Sequence, residues 1–233
     1  MLVNCAVNRT HILLLGDSIA IHYAPWLRDY LGSGYQLEMK SGMVEALADL
    51  DHPQGMNCGN SAMVREYLAQ RLPNSLVRPD LVVINFGLHD MKSDPVTEQN
   101  EISLGQYKAN CQSVRNQIEQ QDLKGLWVRT TGFDEKRHNQ MSPKKYRFSR
   151  DLAAYNQVAD EAMAGWPVAD LYDFTLRQGN DLYCDHVHFK EPIRALQGKF
   201  LAHHIREILP SPVLPLGATF PEVPPAKSDR PAA

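Results

Sequence analysis

Residues 11–19, HILLLGDSI, constrain this chain more than any other segment. An unbroken apolar run over residues 12–15 stops abruptly at Gly16-Asp17-Ser18. That pattern predicts a buried strand that delivers a serine into a tight turn at its carboxyl end. Open α/β sheets keep their active sites at that edge. A serine hydroxyl is a weak nucleophile alone, so a functional reading of Ser18 requires a base, an orienting acid and oxyanion donors elsewhere in the chain.

The rest of the sequence alternates helix and strand patterns. A short helix is expected over residues 22–31 and a second strand over 35–40. Residues 41–60 are mixed and glycine-bearing, ending in the turn-favouring cluster Asn57-Cys58-Gly59-Asn60-Ser61. Val64, Leu68 and Leu72 recur at helical spacing before Pro73. Residues 81–86 form a continuous apolar and β-branched run with one asparagine, the pattern of a central parallel strand. Leu104, Tyr107, Cys111, Val114 and Ile118 mark an amphipathic helix, which makes Cys111 a core residue. A fourth strand is expected over 126–128.

Residues 134–150 carry Lys136, Arg137, Lys144, Lys145, Arg147 and Arg150, and the expectation is a solvated loop, with contact to an anionic substrate as the alternative. Ser149 is placed as the N-cap of a helix carrying Leu152, Tyr155, Val158, Ala159 and Ala162. A fifth strand is expected over 168–172, and a last helix runs from Pro192 to the proline at 210. Strands joined by helical crossovers call for a mostly parallel sheet covered on both faces. The expected fold is therefore a three-layer α/β/α sandwich around a five-stranded sheet, flavodoxin-like in arrangement, over residues 1–209. Beyond it, seven of the 24 residues from 210 to 233 are proline, which predicts an extended or disordered tail.

Composition narrows the functional classes. At 233 residues and 43% hydrophobic content the chain supports one substantial core. A net charge of -3 offers no basic surplus for phosphates, so nucleic acid is not an expected partner. The first residues have neither a basic n-region nor an uninterrupted apolar span, and a cytoplasmic location without a membrane span is the expectation. Cys5, Cys58, Cys111 and Cys184 form no CxxC pair and read as reduced thiols, although Cys58 and Cys184 each adjoin a polar cluster where a disulfide could form. His186 and His188 make an HxH pair, but no third metal ligand is indicated by spacing.

Three polar clusters follow strand candidates: Gly16-Asp17-Ser18, Gly87-Leu88-His89-Asp90 and Asp185-His186-Val187-His188. Parallel strands bring such clusters to one edge. In order and spacing they resemble the GDSL, or SGNH, hydrolases, a superfamily of esterases and lipases with a three-layer α/β fold. The resemblance implies Ser18 as nucleophile, His188 as base and Asp185 as the group that orients His188, with no metal or cofactor needed. It also implies three oxyanion donors: the Ser18 N–H, the N–H of Gly59 or a neighbour, and a side chain in the third block. Two departures matter. Ala62 stands where the second block usually ends in glycine, and His89 stands where asparagine is usual, giving GLHD. A neutral imidazole still carries one N–H, so His89 is expected to serve as that donor. Asp17 and Asp90 are expected to tie down their turns through backbone hydrogen bonds.

The implied activity is cleavage of a carboxylic ester through an acyl-enzyme intermediate. The substrate would be a small-molecule or carbohydrate ester with a short acyl group, as for a carbohydrate acetylesterase. Lysophospholipase or thioesterase chemistry on the same fold is the nearest alternative, and a non-catalytic carbohydrate-binding module the next.

Overall fold

The computed structural model describes residues 9–74 and 77–209, so Cys5 and the proline-rich segment 210–233 lie outside the described residues. Five strands, β1 (Thr10–Gly16), β2 (Tyr35–Met39), β3 (Leu81–Asn85), β4 (Lys124–Val128) and β5 (Val168–Ala169), form one parallel sheet in the order β2-β1-β3-β4-β5. At its centre the register pairs Ile12 with Leu81, Leu14 with Val83 and Gly16 with Asn85, so β1 and β3 end level with one another.

β1 and β3 are apolar and buried on both faces, as a central parallel strand must be: residues 12–15 and 81–84 are wholly inaccessible to solvent. The chain first moves outward from β1 to β2, then returns past β1 to β3. With right-handed crossovers, that reversal puts the first helix on one face and the next ones on the other. Accordingly α1 (Ser18–Leu31) packs along α8 (Glu191–Ile208), while α3 (Ser61–Arg71), α4 (Leu104–Glu119) and α6 (Ser149–Ala162) pack in series. Gly198 lets α8 approach α1 closely, since a Cβ there would lie 2.7 Å from the Leu27 nitrogen. No described helix is long and apolar enough to cross a membrane.

Several elements differ from the sequence expectation. α1 begins at Ser18 rather than near His22, because Asp17 caps it by accepting from the Ile19 N–H at 3.0 Å. A short helix, α2 (Met43–Ala48), occupies the segment read as irregular. β5 is only two residues long, because Asp170 caps α7 (Leu171–Leu176) and turns the chain out of the sheet. Ser149 is the first residue of α6 and not its cap; its N–H donates to Glu135 Oε2 at 2.8 Å. The stretch expected to be a solvated loop contains α5 (Glu135–Met141) and buries both His138 and Arg147.

Candidate active site

The order of the strands reverses between β1 and β3, and such a switch point opens a crevice at their carboxyl ends. The turn after β1 is held there from two sides. The Asp17 N–H donates to Asn85 O at 3.3 Å, and the Cys58 N–H donates to Gly16 O at 3.0 Å. Gly16 has no room for a side chain: a Cβ would lie 2.4 Å from Ala20 Cβ and 2.8 Å from Asn85 O. Ser18 consequently sits at the first position of α1, where a backbone N–H has no intrahelical acceptor.

Ser18 Oγ lies 2.9 Å from His188 Nε2, and His188 Nδ1 lies 2.7 Å from Asp185 Oδ2. Asp185 also accepts from the Val187 N–H at 2.8 Å and the His188 N–H at 2.7 Å. Burial pushes its carboxyl up, but these hydrogen bonds outweigh burial and hold it below the usual range. Burial lowers His188, with Asp185 opposing the shift, so the ring is neutral near neutral pH. The His22 ring stands edge-on to it with centroids 4.8 Å apart, and burial brings His22 down to about 3. The arrangement can move a proton from a hydroxyl to an oriented, neutral imidazole.

The two remaining blocks lie before α3 and after β3. Gly87 adopts φ 142°, and a Cβ there would strike Thr130 Oγ1 at 2.2 Å. His89 is 4% exposed, its ring makes no hydrogen bond to another described residue, and burial holds it well below the ordinary imidazole value. Asp90 is fully buried and accepts from both the N–H of Ser61 at 3.0 Å and its hydroxyl at 2.5 Å. Burial raises Asp90 to about 7 despite those bonds, and raises Asp17 to about 6. Asp17 and Asp90 thus sit where they fasten turns. Gly59 adopts φ 69°, but its N–H donates to Asn57 Oδ1 at 3.0 Å, so the turn's own side chain occupies that donor.

No protein-family model and no curated protein matches the chain. Solved structures do. A GDSL-like lipase from Bacteroides thetaiotaomicron superposes with a TM-score of 0.60 at 15% identity, covering 86% of this chain and 89% of its own. An aryl esterase from M. smegmatis gives 0.57 at 16% identity, covering 86% and 100%. A carbohydrate acetylesterase from Sinorhizobium meliloti gives 0.52 at 17% identity, covering 86% and 100%. The chain has the SGNH-hydrolase fold.

On that fold, Ser18, His188 and Asp185 meet at the rim, His89 lies just beyond the end of β3, and the HxH pair divides: His188 turns to Ser18 and Asp185, whereas His186 turns to His138 and Asp51. Cys58 and Cys184 are free thiols. Sequence reasoning placed Arg147 in a solvated loop, whereas it is buried and its Nε donates to Leu88 O at 2.7 Å, next to His89 in the chain. It missed Asp51 altogether, whose partner His186 is 135 residues away. A cavity of about 190 Å³ lined by Leu72, Pro73, Arg78 and Leu123 adjoins the starts of β3 and β4, at the opposite end of the strands from Ser18.

Proposed function

We propose that this protein is a serine esterase that cleaves a carboxylic ester through an acyl-enzyme. The observation that carries the reading is the continuous chain from Ser18 Oγ through His188 to Asp185, at 2.9 and 2.7 Å. Ser18 Oγ attacks the ester carbonyl while His188 Nε2 takes its proton. The tetrahedral oxyanion accepts hydrogen bonds from the Ser18 N–H and the His89 ring N–H. Collapse expels the alcohol, which receives the proton from His188. Water, deprotonated by the same ring, then attacks the acyl-enzyme and releases the acid.

The acyl group in this reading is short, as in an acetyl ester of a carbohydrate. Ser18, His89 and His188 are each 4% exposed or less, which favours a narrow approach to the nucleophile. The exposed apolar residues Met43, Val44 and Leu47 of α2 favour a longer acyl chain as the second reading. A panel of p-nitrophenyl esters from acetate to palmitate, with acetylated sugars, tests both. Activity confined to the shortest chains supports the acetylesterase reading, a maximum at long chains supports the second, and no turnover of any ester rejects the hydrolase.

A further inference from the structure

A second polar chain runs beside Ser18, His188 and Asp185. His138 Nε2 lies 3.2 Å from Lys145 O, His138 Nδ1 lies 2.9 Å from His186 Nδ1, and His186 Nε2 lies 3.1 Å from Asp51 Oδ2. Arg147 Nη1 adds a contact to His138 Nδ1 at 3.3 Å. Donor capacity fixes where the hydrogens sit. A carbonyl only accepts, so His138 carries its hydrogen on Nε2. Burial and the Arg147 guanidinium bring His138 down to about 3, so the ring is neutral and its Nδ1 accepts. A guanidinium only donates, which agrees with that assignment. His138 Nδ1 has a single lone pair, and the nearer His186 Nδ1, at 2.9 Å against 3.3 Å for Arg147, must donate into it. Its hydrogen bond holds Asp51 well below the usual carboxylate range, so Asp51 is an ionised acceptor and His186 donates from Nε2 as well. An imidazole that donates from both nitrogens is an imidazolium.

We propose that His186 is an imidazolium paired with Asp51, and that this pair latches the segment before α3 onto the loop that carries Asp185 and His188. The proposal rests on the esterase reading for its effect on rate, and makes Asp51 and His186 positioning residues. The latch joins three loops of the rim, because Lys92 Nζ, just beyond the His89 turn, donates to Asp51 O at 2.8 Å. His186 is two residues from His188, and its carbonyl accepts from the Asp134 N–H at 3.0 Å. His186 meets Asp51 and His138 directly and its ring stands 6.3 Å from that of His188, while Lys92 bonds to Asp51, Arg147 contacts His138, and Asp185 lies next to His186 in the chain. Neutralising Asp51 removes the group that keeps the second proton on the ring.

Nitrogen NMR of the full chain, with the His186 signal assigned by its loss in His186→Gln, reads the charge directly. The expected result is two protonated ring nitrogens near neutral pH in the wild type and a neutral ring in Asp51→Asn. Asp51→Asn is also expected to lower kcat for p-nitrophenyl acetate about tenfold with little change in KM. The alkaline limb of its pH profile should move down by about one unit, and Asp51→Glu should restore that limb. A neutral His186 in the wild type overturns the latch, as does an Asp51→Asn profile that superimposes on the wild type. Fluorophosphonate labelling of Ser18 keeps the two readings apart: an unlabelled wild type counts against the esterase, while the NMR result still decides the latch.

Discussion

The centre of the sheet and its carboxyl rim lie a few residues apart and are built from opposite materials. Residues 12–15, 81–84 and 126–128 are apolar and inaccessible to solvent. A few residues further along the chain from β1 and β3, the buried positions include Asp17, Ser18, His89 and Asp90, joined from other segments by Ser61, His138, Arg147, His186 and His188. Burying apolar surface stabilises the fold wherever shapes fit. Burying polar groups costs free energy unless each finds a partner, so the rim is held by directional bonds between distant segments. The centre therefore sets stability and the rim sets chemistry, with residues such as Asp90 belonging to both.

Substitutions sharpen that contrast. His188→Ala is expected to lower kcat by on the order of 10⁶ while leaving the thermal midpoint nearly unchanged, as steady-state kinetics and calorimetry would show. His89→Ala should lower kcat by about 10²–10³ with a much smaller change in KM. An unchanged kcat would remove His89 from the oxyanion site. Leu14→Ala should do the reverse, costing about 2–5 kcal/mol in denaturant unfolding while the folded fraction keeps its kcat.

Asp90 breaks the division. Asp90→Ala leaves the Ser61 N–H and hydroxyl without their acceptor, and should cost about 1–3 kcal/mol as well as activity. Because burial raises Asp90 to about 7, its proton stabilises the folded state on the acid side, and that contribution is lost as pH rises through about 7. Asp90→Asn should flatten this part of the stability profile. The smallest effect concerns His188: burial lowers it, so the acid limb of kcat/KM should lie below the ordinary imidazole value of about 6.5.

The same contrast explains what the sequence disclosed. The apolar runs of β1 and β3 and the helical spacing of Val64, Leu68, Tyr107 and Cys111 are local signals, so the layers of the fold were legible. The proximity of Ser18, Asp185 and His188 was legible because each follows a strand or precedes a helix within a short motif. α2 escaped because it is six residues long and its N-cap, Gly42, has no side chain to mark the start. Arg147 and His138 were hidden among exposed charges, although they are buried. Asp51 carried no local signal at all, since its role depends on a partner in another loop. Spacing alone did not reveal that Asn57 Oδ1 takes the Gly59 N–H, because that bond depends on how the turn folds back on itself.

The most direct test of the account is ester hydrolysis by Ser18→Ala beside the wild type, with fluorophosphonate adducts located by mass spectrometry. The account predicts one adduct on Ser18 in the wild type, none in the variant, and a fall in kcat of on the order of 10⁶. Undiminished hydrolysis by a folded Ser18→Ala protein, or an adduct on another residue, would contradict it.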